Sequence, residues 1–318
     1  MLPTGKTNGQ VSGWLTETMM IWNKFPDQMN VVNLSKRNLD ELPKELFRMH
    51  RIESLNITFN NLQEIPKEIK ALSGIRTIHF GHNLIKLIPE EFSLLVHLEH
   101  LHLNNNQIQV LPDSLFTLKK LSELDLSGNQ IVILPENIKN LNLERLNVSN
   151  NQLVEIPIGL YHMENLKELN FSTNQIRSID SSLFHLKNLR KFNIQSNLIE
   201  DLPNELGFLV QLEDLNIKDN PLKNEEIIKR ANTNSIITYF RNQLRYHSDN
   251  KLENRKLLFN EVECERNINY SEDPPLLLSA NPEKLVSYLT QVSGSFPLFF
   301  SFPPQVFRSY RCILFTLS

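Results

Sequence analysis

The sequence predicts an α/β fold built as a curved, right-handed solenoid, with a parallel β-sheet on its concave side and short helical or 3-10 turns on its convex side. Three observations carry this expectation. Eight asparagines, Asn60, Asn83, Asn106, Asn129, Asn151, Asn174, Asn197 and Asn220, recur at steps of 23, 23, 23, 22, 23, 23 and 23 residues. A fixed period of this size marks stacked repeats, each too small to bury its own apolar face. Ahead of the asparagine runs a step such as Leu101–Leu103 or Leu124–Leu126, whose spacing of two is that of a strand buried on one face. Behind it the apolar residues return at a spacing of three, too short for a full helix and suited to a tight helical turn.

Each element follows from one template. Repeat five reads Leu121, Leu124, Leu126, Asn129, Ile131, Leu134, Pro135, Ile138, Leu141, and repeat four reads the same way from Leu98 to Leu118. On these residues the chain resembles the leucine-rich repeat family, in its intracellular class with Leu-Pro in the second half. The resemblance runs from about Met29 to Leu222, through nine repeats, and implies a leucine-rich repeat solenoid. The asparagine amide can both donate and accept, so it can satisfy backbone groups stripped from the ladder where the chain bends off the strand. Pro43, Pro66, Pro89, Pro112, Pro135, Pro157 and Pro203 open the convex turns. The first position of a helical turn needs no backbone donor and so tolerates proline. Crossovers between parallel strands are right-handed. Nine strands at about 4.8 Å give a concave face roughly 40 Å long.

Three departures are expected to be local adjustments. Arg37 takes the first asparagine slot, repeat six begins one residue early near Asn142 and Leu143, and Asp180 stands where repeat seven should have proline. Terminal repeats of such arrays are atypical, and insertions or deletions fall in loops.

The ends of the array need covers, because an open end exposes apolar surface and an unpaired strand edge. Residues 1–13 are polar and expected to be disordered. Trp14 to Gln28, with Trp14, Trp22 and Phe25, is expected to form an amphipathic N-terminal cap. Lys223 to His247 places Ile236, Ile237, Phe240 and Leu244 on one helical face and is expected to shield the last strand. Residues 248–294 are a charged linker with a short helix starting near Asn281 and Pro282. Ser295 to Ser318 carries six of the chain's 18 Phe, broken by Pro297, Pro303 and Pro304. It is expected to be a disordered alternative end, too interrupted to span a membrane.

Composition narrows the function classes. A net charge of −3 gives no basic footprint for nucleic acid. Cys264 and Cys312 are the only cysteines and lie outside the repeats, and Met1 to Gly13 lacks an apolar signal-peptide core. A cytoplasmic monomer with no cofactor is expected. Four Asn-x-Ser/Thr sequons, at Asn33, Asn56, Asn147 and Asn170, fall on strands and read as chance products of an Asn-rich face. A fifth lies at Asn269. Gly5-Lys6-Thr7 matches the end of a phosphate-binding loop but lacks the glycine that should precede it.

The template phase gives every strand residue an address. One concave column carries Val31, Ser54, Thr77, His100, Glu123, Arg145, Glu168, Lys191 and Asp214. The next carries Asn33, Asn56, His79, His102, Asp125, Asn147, Asn170, Asn193 and Asn216. From Glu123 to Asp214 the first column alternates in sign, which reads as a self-neutralising ladder or as a charge code for a protein partner. His79, His100 and His102 lie on adjacent strands beside Glu123 and Asp125, a set that could hold zinc or titrate near neutral pH. An open face without a supporting shell favours a solvated patch, and no metal is expected. No aromatic cluster is expected on this face. The candidate partner-binding residues are therefore His79, His100, His102, Glu123, Asp125, Arg145, Glu168, Lys191 and Asp214.

These features point to a non-enzymatic interaction module or scaffold. Similarity to Ras-suppressor, Scribble and Erbin-type repeats implies a role in intracellular signalling. The alternative is the recognition part of a larger signalling protein whose C-terminal effector domain is absent. An enzyme using Cys264 is disfavoured, since Val262-Glu263-Cys264-Glu265-Arg266 lacks the Cys-x-Asp pattern of bacterial ubiquitin ligases that pair similar repeats with a catalytic cysteine, and the segment after it is too short for their domain.

Overall fold

The computed structural model describes residues 30–230 and 232–245. The expected N-terminal cap, the linker, the Phe-rich tail, both cysteines and Gly5-Lys6-Thr7 lie outside these residues. Nine strands form one parallel sheet in chain order. They are β1 (Val31–Asn33), β2 (Ser54–Asn56), β3 (Thr77–His79), β4 (His100–His102), β5 (Glu123–Asp125), β6 (Arg145–Asn147), β7 (Glu168–Asn170), β8 (Lys191–Asn193) and β9 (Asp214–Asn216). Each residue pairs with its equivalent in the next repeat, as in Leu55 with Ile78 and Leu101 with Leu124. The central residue of each strand is buried and its two neighbours face outward. That alternation is what a three-residue strand over an apolar core requires.

The asparagines explain why the strands stop and the repeats stay together. The Asn83 amide donates to Phe80 O at 2.9 Å and Gly81 O at 3.3 Å within its own repeat. It also donates to Ile57 O of the preceding repeat at 3.0 Å. Its Oδ1 accepts the Leu62 N–H, again from the preceding repeat, at 3.1 Å. Asn60, Asn106, Asn129, Asn174 and Asn197 are buried and make the same set. Arg37 can stand in the first slot because the clamp holds the repeat before it. Asn60 serves that first repeat, taking the Arg37 and Leu39 N–H groups at 3.0 Å each.

On the convex side are eight five-residue 3-10 turns, from Lys44–Arg48 to Asn204–Phe208. The prolines do not take the first helical position that the sequence suggested. They are the preceding cap residues, with φ between −63° and −75° and extended ψ between 136° and 153°. The ring fixes φ at a value common to both states, and the carbonyl remains free. It accepts the first bond of the turn, as from the Leu46 N–H to Pro43 O at 3.1 Å.

The other two departures are also local. The missing residue of repeat six falls between the Glu136–Asn140 turn and β6. Leu141 swings to ψ 158°, against 50° to 83° at the other seven turn ends. The strand register continues unbroken. Asp180 caps its turn through its side chain, which accepts the Ser182 N–H at 2.7 Å. It also keeps a backbone N–H that proline lacks. The fully buried Tyr161 hydroxyl faces that N–H, out of regular hydrogen-bond geometry and with no other partner. Burial pushes this hydroxyl well above the ordinary tyrosine pKa.

After β9, a short helix (Glu225–Ile228), capped by Asn224, leads into a longer one over 233–245. Ile227, Ile236, Ile237 and Phe240 are buried. The Leu215 N–H of the edge strand β9 donates to Thr233 Oγ1 at 2.9 Å.

Two outcomes test these accounts. Asn106→Ala should cost about 2–4 kcal/mol in urea unfolding, because it orphans buried groups in two repeats. Asn220→Ala, where water can reach the freed groups, should cost less than half as much. Asp180→Pro should cost about 1 kcal/mol through the lost cap bond and N–H. A smaller cost in the Tyr161→Phe background would show that the hydroxyl uses this N–H; equal costs in both backgrounds would refute it.

Candidate functional site

Two rules govern the outward residues of the concave sheet. The first is a side-chain turn at the strand end. Asn33, Asn56, Asp125, Asn147, Asn170, Asn193 and Asn216 each accept the N–H two residues on, at 2.9–3.3 Å. Thr58, Ser127 and Ser149 add their hydroxyls to the same oxygens at 2.7–2.9 Å. The asparagine makes this bond whatever residue follows two positions on, as with Gln195 and Lys218, and at two of the four strand sequons, Asn56 and Asn147, the Thr58 or Ser149 hydroxyl joins it. Asp125 is occupied in the same way.

His79 and His102 break this rule, and they are adjacent. Their rings sit 4.5 Å apart at an interplanar angle of 33°. Burial, then the charge of His102, lowers the His79 pKa, outweighing the opposite pull of Glu123; His100 adds to the lowering. Glu123 is the hub of the patch. Its Oε2 accepts from Arg145 Nη2 at 2.7 Å and Nε at 3.0 Å. His100 Nδ1 lies 3.4 Å from the same oxygen, and His102 Nε2 lies 3.5 Å from the other, Oε1. Burial pushes Glu123 up, but the Arg145 hydrogen bond and charge outweigh it. With help from His102 and His100, they hold the carboxyl below its usual value. Arg145 is correspondingly raised, by its hydrogen bond to Glu123 first. Among the described residues no group of three His, Cys, Asp or Glu is arranged to hold a metal.

The alternating column is not a continuous ladder. It resolves into two pairs, Glu123 with Arg145 and Glu168 with Lys191, the latter at 3.0 Å. Arg145 turns its remaining nitrogen toward Glu144, 3.9 Å away in its own repeat. Asp214 has no ion-pair partner among the described residues.

The second rule is a left-handed residue ahead of each clamp asparagine and of Arg37 in the first slot. Lys36, Phe59, His82, Asn105, Gly128, Asn150, Thr173, Ser196 and Asp219 all have φ between 54° and 65°. Glycine and asparagine tolerate this conformation, whereas a bulky aromatic there is strained. Phe59 is 48% exposed and stacks on His82 with centroids 4.1 Å apart and planes 9° from parallel. Lys36 Nζ lies 5.3 Å from the Phe59 centroid, and Asn105 Nδ2 lies 3.3 Å from His82 Nε2. This stack stands one residue ahead of the clamp asparagines, beyond the strand columns in which no aromatic cluster was expected. The signal was available, because Phe59 stands in fixed phase one residue before Asn60. Between this stack and the His79–His102 pair lies Gly81, where any side chain would meet Asn104 Oδ1 at 2.4 Å from the Cβ.

A family model described as a leucine-rich repeat region matches residues 86–246, and one for the leucine rich repeat matches residues 50–108. Among curated protein sequences none matches the chain. Solved structures are similar in fold. One is the leucine-rich repeat ectodomain of a plant membrane receptor kinase from Arabidopsis thaliana, in complex with Casparian strip integrity factor 2. It has 28% identity and a TM-score of 0.56 over 60% of this chain and 24% of that one. A plant peptide hormone receptor in complex with RGF2 has 29% identity and a TM-score of 0.51, over 57% of this chain and 30% of that one. An internalin from Listeria monocytogenes has 26% identity and a TM-score of 0.56, over 62% and 57%. The chain thus spans from about a quarter to somewhat over half of these proteins.

The His79 environment sets a pH dependence with a definite sign. A histidine with a lowered folded-state pKa binds fewer protons than in the unfolded chain. Its stability contribution is whole above the ordinary histidine value of 6.5 and is lost as pH falls from there toward the folded value. Thermal midpoints should drop over that window, and His79→Gln should flatten part of the drop. An unchanged slope in the variant would show that His79 does not carry it.

Proposed function

Since the chain belongs to the leucine-rich repeat family, we propose that it is a non-enzymatic protein-binding module, acting as a monomer, with its partner seated on the concave face. The observation that carries this reading is the double break in repeats two to four. Strand-end residues elsewhere fold back on their own backbone, but His79 and His102 do not. In the same repeats a strained, half-exposed Phe59 is presented on His82. Strain kept in an exposed aromatic contributes nothing to the core and is the usual mark of a contact residue. Arg145 and Lys191, already paired to acids, supply specificity and register more than affinity. The polypeptide complexes of the two plant receptors support a protein ligand in kind.

We infer a cytosolic setting and a scaffolding or regulatory role in signalling. The Leu-Pro or Ile-Pro step in the second half of seven repeats supports it through its resemblance to intracellular members of the family. The alternative keeps the same surface as the recognition part of a larger signalling protein.

The decisive experiment captures partners on the full chain and compares the wild type with Phe59→Ala and with the Arg145→Glu, Lys191→Glu double variant. A partner on this face should lose about tenfold in affinity with Phe59→Ala, as expected for an interfacial aromatic. It should also be lost with the double variant. Capture unaffected by either change would remove the concave site.

A further inference from the structure

The convex side carries a second surface that the concave reading does not use. Four residues after each clamp asparagine, at the approach to the Leu-Pro step, the side chain points outward. Along the array this column reads Glu64, Leu87, Val110, Ile133, Glu155, Ser178 and Asp201. The three apolar members are consecutive and are 68%, 67% and 62% exposed. Scattered exposed aliphatics mean little, but a contiguous run with polar ends marks an interaction surface.

A second column runs beside the first. The 3-10 turn following each of these apolar residues opens with an acid, namely Glu90, Asp113 and Glu136. Among the described residues none of the three is in an ion pair. Asp113 accepts a hydrogen bond from Asn137, and Glu136 accepts the Ile158 and Gly159 N–H groups. These bonds fix the two carboxylates while leaving their charge intact. Between Pro66, Pro89 and Pro112 the surface sinks into a hollow of about 730 Å³, with Leu87 and Val110 on its wall.

We propose that this stripe is a docking surface for a basic amphipathic helix lying along the solenoid axis. Two features select that occupant. The first is spacing. Repeats are about 4.8 Å apart at the sheet and wider on the outer arc of the curve. A helix rises about 5.4 Å per turn, so apolar residues at i, i+4 and i+7 meet Leu87, Val110 and Ile133 in step. The second is charge. The acid column lies on one side of the stripe, where Lys or Arg flanking the helix's apolar face would pair with it. A strand, whose same-face residues recur at about 6.8 Å, falls out of step within three repeats. This surface is independent of the concave one, and the failure of either leaves the other standing.

The test titrates the full chain with a synthetic 16-residue helical peptide carrying Leu at i, i+4, i+7 and i+11, with Lys on both flanks, followed by anisotropy. Its control has Glu in place of Lys. Saturable binding of the Lys peptide, weaker by tenfold or more for the Glu peptide and on raising salt, is expected. Val110→Asp with Ile133→Asp should abolish it while the thermal midpoint holds within a few degrees, because both side chains are exposed. Glu90→Lys should weaken the Lys peptide and strengthen the Glu peptide. The concave Arg145→Glu, Lys191→Glu variant should bind as the wild type does. Equal binding of both peptides, or retention by the Val110→Asp, Ile133→Asp variant, overturns the proposal. So does self-association of the wild type that this variant abolishes, since the stripe would then seat a second copy of the chain.

Discussion

Every repeat depends on one problem: a strand of three residues ends by turning its backbone into the interior, where unpaired N–H and C=O groups cannot stay. From the second repeat on, one asparagine, buried in six of the eight, solves it with a single amide that gives both its donor hydrogens and its acceptor to main chain. Two of those bonds reach back into the preceding repeat, so the same side chain that ends a strand also fixes the stacking. Leaving one such buried group unpaired costs about 1–3 kcal/mol, whereas an exposed ion pair is worth about 0–1 kcal/mol. The array therefore rests on its asparagines and leucine columns. The charges on the concave face can change with little effect on the fold, which is the condition for a surface that can specialise.

Fold and register were legible because they follow from period alone. The phase of Asn60 to Asn220 places each strand to the residue, and even the 22-residue step keeps register, since Leu141 absorbs the loss in a connection. Side-chain pairing was less legible. An alternating column suggests a ladder, but Arg145 can reach either way and also toward its own repeat; it settles on Glu123, and Glu168 is left to Lys191. Sequence spacing fixes which columns are neighbours and leaves the rotamers open. Phe59 and His82 were missed for a different reason. Their position lies one residue beyond the strand columns, in a left-handed turn where bulky side chains are not expected.

The exceptions have more to say than the rules. In the column that follows the buried strand residue, a polar side chain that folds onto its own backbone stabilises the strand exit. Seven repeats adopt it and two adjacent ones give it up for histidine. In the left-handed column glycine and asparagine are the low-cost choices, and Phe59 in the neighbouring repeat is a bulky departure, as are Lys36, His82 and Thr173. At these two places the departing side chains contact one another across repeats, Phe59 with His82 and His79 with His102, instead of their own backbone. Where local preference and observed residue conflict without benefit to the core, a requirement outside the fold is the remaining cause.

Asp180 shows the opposite kind of exception, one that the fold itself explains. Proline opens seven convex turns because it fixes φ and still offers its carbonyl to the turn. Repeat seven differs at the one place where a buried hydroxyl from the previous repeat, that of Tyr161, faces the opening residue's nitrogen. Aspartate restores the N–H and replaces proline's rigidity with a side-chain cap to Ser182. An irregular residue with a partner inside the core is thus a packing solution, while an irregular residue aimed at solvent, as at Phe59 or along Leu87, Val110 and Ile133, has no such partner. That distinction separates structural departures from binding surfaces in an array whose repeats are otherwise alike.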